Sequence, residues 1–266
     1  MSDKKRAFAI GAHPDDVEFM MAGTLILLQE AGYEPHIMTV ANGSCGTAEH
    51  AREEIIAVRK KESECAAALI GATYHPGLVD DIQVYYTPDL VARVGAVIRE
   101  VSPEIVLVPS PDDYMEDHQN TSRLAVTALS CKGMRNFTTD PMRAPVAGDC
   151  FLYHALPYGL CDGLRRPVAP EFTVDISETV DQKEAMLACH KTQQNWLDVS
   201  QGLNVYLETM REMSAEVARR SGMTGAYGEG WRRHLHLGFS EQDEDRLATV
   251  LAHKVCRVGA PSRQTM

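Results

Sequence analysis

The run Ala7-Phe8-Ala9-Ile10-Gly11-Ala12, cut off by His13-Pro14-Asp15-Asp16, constrains the fold of this 266-residue chain more than any other feature. An apolar run this short cannot cross a membrane as a helix, which takes about 20 residues, and it is too continuous for a strand that is wet on one face. It suits a central parallel strand covered on both sides. Open α/β sheets bind ligands where such strands end, and this end carries an imidazole and two carboxylates. Asp is a favoured N-cap residue, so a single aspartate before the apolar stretch Val17 to Leu28 needs no other explanation. Two adjacent carboxylates beside His13 exceed what a cap requires. His13 and Asp16 can hold one cation, while Asp15, fixed by the same turn, stays free to move a proton.

A catalytic zinc usually takes three protein ligands, so another imidazole should come from a second strand exit. Glu104-Ile105-Val106-Leu107-Val108-Pro109 is a second short buried-strand pattern, and it runs through Ser110-Pro111-Asp112-Asp113-Tyr114-Met115-Glu116-Asp117 to His118. Gln119-Asn120-Thr121 and the apolar stretch Leu124 to Leu129 follow, which places His118 at the start of a helix. A histidine there is ordinarily a cap-region residue. The matching strand exit and the neighbouring Asp117 point instead to a metal ligand.

Strand and helix patterns alternate along the rest of the chain. Val17 to Gly32 reads as a helix, Pro35 to Ala41 as a strand, Glu49 to Ile70 as a long helix closed by Gly71, and Asp89 to Val101 as a helix. Such alternation implies βαβ crossovers, hence an α/β fold with a mostly parallel sheet flanked by helices. The 266 residues, 44% hydrophobic and 24% charged, fit a single domain with a substantial core. Val180 to His190 and Val205 to Arg220 predict a helical C-terminal extension. Lys132 to Gly148 reads as a loop able to wall the site, and Gly159 to Pro170 as a turn between two strands.

Charge and cysteines narrow the function. A net charge of −11 disfavours nucleic acid, because phosphate-backbone binding needs a basic patch. Met1-Ser2-Asp3-Lys4-Lys5-Arg6 looks like the start of a signal peptide, but His13-Pro14-Asp15-Asp16 truncates the apolar run after it. The expected setting is therefore cytoplasmic, with no membrane partner; homo-oligomerisation is left open. Seven cysteines without a C-x-x-C pair read as free thiols and not as a disulfide framework or zinc knuckle.

Ala12-His13-Pro14-Asp15-Asp16, the Asp117-His118 pair and Lys183 with His190-Lys191-Thr192-Gln193 together resemble the LmbE/PIG-L family of metal-dependent de-N-acetylases. The likeness extends through Arg59-Lys60-Lys61-Glu62, Ala66 and Leu69 to Gly71, and again through Tyr227-Gly228-Glu229-Gly230-Trp231. It implies a Rossmann-like α/β sheet, zinc held by His13, Asp16 and His118, and Asp15 as general base in hydrolysis of an N-acetyl group on an amino sugar. It also suggests that Arg59 reaches a polar or anionic group of the substrate, a task suited to guanidinium.

One position departs from that pattern. The family's second motif usually reads His-x-Asp-His, and Met115 occupies the place of its first histidine. A thioether can donate neither to an oxyanion nor to a leaving amine. Asp117, which in the family orients that missing imidazole, is expected here to hold another, with His154 on the strand-like segment Phe151 to Pro157 the best local candidate and Tyr114 a weaker substitute. A histidine that merely packs on a strand is the competing reading of His154. Asn42-Gly43-Ser44-Cys45-Gly46 gives a weak ligand-loop signal. No G-x-G-x-x-G follows the first strand, which speaks against a dinucleotide. Glu229 and Trp231, in a cluster with Arg232, Arg233, His234 and His236, suit contact with a sugar, the Trp ring by stacking. His190 belongs either to a substrate wall or to a helix cap.

The reaction expected is removal of an N-acetyl group from an N-acetylglucosamine-type conjugate by a zinc-activated water, with Asp15 as base and Asp117 and His154 in support. A His/carboxylate site also accepts Fe2+, Mn2+ or Co2+. Two alternatives stay open. A metal-dependent phosphoesterase would need a second cation roughly 3.5–4 Å from the first, with Asp112, Asp113 and Glu116 as spare carboxylates. The other is a non-catalytic sugar-binding member of the family.

Overall fold

Every side chain from Ala7 to Ile10 is buried, because strand β1 (Arg6–Gly11) lies inside the sheet and is covered on both faces. Ala7 and Ala9 turn into one hydrophobic cluster and Phe8 and Ile10 into the other, as the two-residue period of a strand requires. The computed structural model describes residues 4–201 and 205–257. Among these, β1, β2 (Glu34–Thr39), β3 (Thr73–His75), β4 (Ile105–Val108), β5 (Phe151–Ala155), β6 (Phe172–Asp175), β7 (Gly228–Arg233) and β8 (Val255–Arg257) form one sheet in the order 3-2-1-4-5-7-6-8. The helices are α1 (Asp16–Met20), α2 (Ala22–Glu30), α3 (Arg52–Ala68), α4 (Pro88–Val101), α5 (Glu116–Ser130), α6 (Val180–Leu187), α7 (Lys191–Gln201), α8 (Tyr206–Arg220) and α9 (Arg246–Val250).

β3, β2, β1, β4 and β5 are parallel. From β1 the chain winds outward through β2 to β3, then returns to place β4 on the other side of β1. The crevice between the ends of β1 and β4 is thus the switch point at which doubly wound sheets bind ligands, and both predicted motifs lie there. The fold is the mixed α/β arrangement the alternation implies, with α6, α7 and α8 in the C-terminal part as expected. An antiparallel flank is added to it, because β7 inserts between β5 and β6 and β8 closes the edge.

Two local expectations are corrected. Val17 to Gly32 is not one helix. It breaks at Met21, and the Glu229 carboxylate accepts from the backbone N–H of Gly23 (2.9 Å) and Thr24 (2.7 Å), satisfying the start of α2. The loop from Lys132 to Gly148 does not wall the site. The Arg99 guanidinium on α4 gathers the carbonyls of Cys131, Lys132, Met134 and Arg143, and so folds the loop back against that helix.

Candidate active site

His13, Asp15 and Asp16 leave β1 in a tight turn. Asp16 Oδ2 accepts from the backbone N–H of Ala12 and His13, both at 2.8 Å, which fixes its carboxylate at the strand exit. Asp15 occupies the N-cap position of α1 with φ 104° and makes no side-chain cap hydrogen bond. A cap role therefore does not explain it. A non-glycine residue in this left-handed region is strained, and here the strain aims the carboxylate into the site.

From the β4 side, α5 delivers His118. Its Nε2 lies 3.4 Å from Asp16 Oδ1 and its Nδ1 3.1 Å from Asp113 Oδ2. His13 mirrors this arrangement, with Nε2 3.0 Å from Asp117 Oδ2 and Nδ1 3.8 Å from Asp16 Oδ2. Each imidazole is thus backed by a carboxylate and turns its other nitrogen towards Asp16. Asp117 Oδ2 also accepts from the Ile82 N–H at 2.7 Å, and Ile82, a β-branched residue, is held at φ 67° to donate it.

One ligand atom each from His13, Asp16 and His118 falls within 4.8 Å of the others. The donor set, two imidazole nitrogens and a carboxylate oxygen, fits zinc or another divalent transition metal. The backing carboxylates fit it as well, since they fix the tautomer that leaves a lone pair facing inward. Asp112, Asp113 and Glu116 do not gather into a second cation site. Asp113 takes His118 and the Met115 N–H, Asp112 pairs with Arg232, and Glu116 is exposed.

Electrostatics separates the two neighbouring aspartates. Burial raises the Asp15 carboxyl to about 6, against the pull of Arg59. Burial acts on Asp16 in the same direction but is outweighed by His118 and His13, which hold that carboxyl well below its usual range. Burial opposes charge on both imidazoles too, yet Asp117 raises His13, and Asp16 with Asp113 raises His118. Such contrasting environments suit the two adjacent carboxylates to different work, one kept charged and the other able to take up a proton.

Two residues from distant parts of the chain hold Asp15. Tyr206 at the start of α8 donates its hydroxyl to Asp15 Oδ2. Arg59 on α3 is buried, donates from Nη2 to the Pro14 carbonyl at 2.8 Å, and lies 3.9 Å from Asp15 Oδ1. The Asn42 to Gly46 loop exists to admit this guanidinium. A Cβ on Gly43 (φ 81°) or Gly46 would come within 2.5 Å of the Arg59 side chain. Asp81 pins the loop by accepting from the N–H groups of Gly43 and Cys45.

These groups form the floor of a cavity of about 550 Å3, lined also by Phe19, Met115, Leu156, Tyr158, Trp196 and Leu197. Four predicted residues lie outside its lining. Trp231 is fully buried in the core, its Nε1 donating to Thr24 Oγ1 at 3.0 Å, so no ring face is open to a sugar. Glu229, on the same face of β7, accepts from Lys183 Nζ at 2.6 Å as well as from the start of α2. His154 is not held by Asp117. Its Nδ1 lies near Ser122 Oγ and the Pro109 carbonyl and its Nε2 2.9 Å from His234 Nδ1, while Asp117 is taken by His13. His190 sits behind Asp15, 3.5 Å from Glu18, and Gln193 on the next helix lines the cavity in its place.

Residues 8–129 match the family described as PIG-L: GlcNAc-PI de-N-acetylase. That stretch of the chain carries a PIG-L-family sequence. The chain is 28% identical over 198 residues, 72% of this chain and 71% of the relative, to the diacetylchitobiose deacetylase of Thermococcus kodakarensis. It is 24% identical over 241 residues, 85% of this chain and 88% of the relative, to the 4-oxalmesaconate hydratase of Pseudomonas putida. Among solved structures, N,N'-diacetylchitobiose deacetylase from Pyrococcus horikoshii superposes with a TM-score of 0.73 at 23% identity, covering 92% of this chain and 89% of that one. The 4-carboxy-2-hydroxymuconate hydratase from Pseudomonas putida gives 0.70 at 23% identity, covering 87% and 96%. At this identity the two structures speak for the shared fold.

No helix among the described residues is long and apolar enough to cross a membrane. Asp113 as the partner of His118, Tyr206 as the partner of Asp15, and the joining of Tyr114 to Phe19 and Tyr158 in an aromatic wall escape a reading of the sequence. Asp113 carries a signal in its place within the carboxylate cluster, whereas Tyr206 lies 191 positions from Asp15 with no motif around it.

Proposed function

We propose that the protein removes the N-acetyl group of an N-acetylglucosamine-type amino-sugar conjugate in a metal-dependent hydrolysis with Asp15 as general base. One observation carries the reading: the three-donor set of His13, Asp16 and His118 converges from two strand exits beside a buried carboxylate that is not part of it. The PIG-L match and the diacetylchitobiose deacetylase relative supply the reaction class. Zinc, or Fe2+ in its place, would be held by those three residues and would supply Lewis acidity that activates water and polarises the amide carbonyl.

The remaining chemistry belongs to the chain. Asp15 Oδ2 is filled by the Tyr206 hydroxyl, so Oδ1 is the oxygen that takes the proton from water and returns it to the leaving amine. Burial, by bringing this carboxyl to about 6, matches it to both steps near neutral pH. Arg59 holds the turn through the Pro14 carbonyl. Asp113 and Asp117 hold the imidazoles. Met115 contributes no proton, and the shuttle rests on Asp15 alone.

Acetate and free amine should appear from N-acetylated amino-sugar conjugates with zinc supplied, and should cease with a chelator. Absence of both products from a metal-replete protein would overturn the reading. A hydration is the second reading, favoured by Met115: adding water to a double bond expels no amine and so needs no leaving-group acid at that position, the proton taken from water by Asp15 going to the second carbon, and one relative is a hydratase.

A further inference from the structure

The upper wall of the cavity is chemically unlike its floor. An unbroken series of ring contacts starts at the ligand His118 and curves round the site. Tyr114 lies 6.0 Å from His118, Tyr158 6.2 Å from Tyr114, Phe19 5.4 Å from Tyr158, and Tyr206 5.7 Å from Phe19. Met20, Met115, Leu156, Trp196 and Leu197 fill the spaces beside this arc. Tyr114 is 52% and Tyr158 36% exposed, and both line the cavity.

A plain sugar needs hydrogen-bonding side chains for its hydroxyls, and most of those lining this cavity are already engaged. Asp81 is bound to two loop N–H groups, Asp113 and Asp117 to imidazoles, and Ser110 to Arg232 and the Asp112 carbonyl. Gln193, whose buried Oε1 has no partner, and Thr209 on α8 can serve one or two hydroxyls. The Tyr114 and Tyr158 hydroxyls can serve one more each, but the ring faces of the arc and its aliphatic neighbours can only bury apolar surface, whose removal from water is favourable.

We infer that the amine side of the substrate carries an apolar aglycone, alkyl or aryl, which lies along the arc of Tyr114, Tyr158 and Phe19 and against Trp196 and Leu197. This inference rests on the proposed N-deacetylase reading for its reactive end only. Those five side chains are specificity determinants, distinct from the groups that hold the metal or move the proton.

The test compares N-acetylglucosamine with its octyl and phenyl glycosides on the zinc-loaded full chain. Burying a few methylenes or a ring should raise kcat/KM at least about tenfold over the plain sugar, chiefly through KM. Leu197→Asp and Tyr158→Ala should bring the ratio of the two rate constants towards one, with folding checked by circular dichroism. Equal kcat/KM for plain and apolar glycosides, or a preference that both folded variants retain, overturns the inference. Binding separates this failure from failure of the deacetylase reading. Of the two tryptophans, Trp231 is sealed in the core, so ligand-dependent fluorescence reports Trp196. Even without turnover, octyl glycoside should change that signal in wild type and at least about tenfold less tightly in Leu197→Asp; no change in wild type overturns the inference.

Discussion

Asp113 and Asp117 each engage an imidazole on the side turned away from Asp16, and this backing is what makes two histidines a preorganised pair of donors. An Asn at either position keeps the shape and one acceptor but loses the charge that fixes the ring. Loss of such a partner typically weakens metal affinity about 10–100-fold. Asp113→Asn should do so through His118 and Asp117→Asn through His13, read by competition with a chromogenic zinc chelator; unchanged affinity in both would remove the assigned role. Asp15 should behave oppositely. It lies beside the donor set and not in it, so Asp15→Asn should retain full metal by elemental analysis and lower kcat by about 10²-fold or more. Normal turnover in that variant would exclude Asp15 as the base.

β7 shows how an element overrides its local sequence. Gly228-Glu229-Gly230-Trp231-Arg232-Arg233 has two glycines and no hydrophobic alternation, so it presents a polar-aromatic cluster and not a strand. Pairing to β5 on one side and β6 on the other makes it interior. The two-residue period then turns Glu229 and Trp231 together into the core, over the start of α2. Trp231→Ala should cost about 3–5 kcal/mol, as large-to-small core changes do, seen as a lowered Tm with kcat per folded molecule unchanged. A stable variant with altered KM would return Trp231 to the substrate. By contrast, β1, β4 and the clustered His and Asp side chains at their exits were legible because continuous apolar runs ending in His and Asp say both where the strands lie and where they stop. Tyr206 and the aromatic arc were not, because tertiary packing alone brings α1, α7 and α8 over the site. His154 was misplaced for a related reason: alternation located its strand, but only the register of β5 against β4 and β7 shows that it faces Ser122 and His234.

Across the whole molecule, the histidines whose protonation the fold shifts divide into two groups with opposite effects on stability. His13, His118 and His190 face carboxylates. His36 and His154 instead each face another histidine, His36 Nδ1 lying 3.0 Å from His75 Nε2 and His154 Nε2 2.9 Å from His234 Nδ1. Burial, helped by the neighbouring imidazole, lowers His36 to about 4 and, outweighing the Pro109 carbonyl, lowers His154 to about 4 as well. Both rings are therefore neutral in the fold at a pH where an unfolded chain, with histidine near 6.5, already binds protons. Their contribution to stability is complete above about pH 6.5 and is lost as pH falls from there towards about 4, with a limiting slope of about 1.4 kcal/mol per pH unit for each proton. The Asp15 carboxyl and the carboxylate-facing histidines titrate with the opposite sign, so the net curve does not isolate the pairs. A difference does. His154→Asn carries no charge at any pH in the window, and its Tm should fall less steeply between pH 7 and 4.5 than that of wild type, whatever the absolute cost of the substitution. Parallel Tm curves for the two proteins would show that His154 is not held neutral by the fold, and would reopen the possibility that it titrates as part of the chemistry.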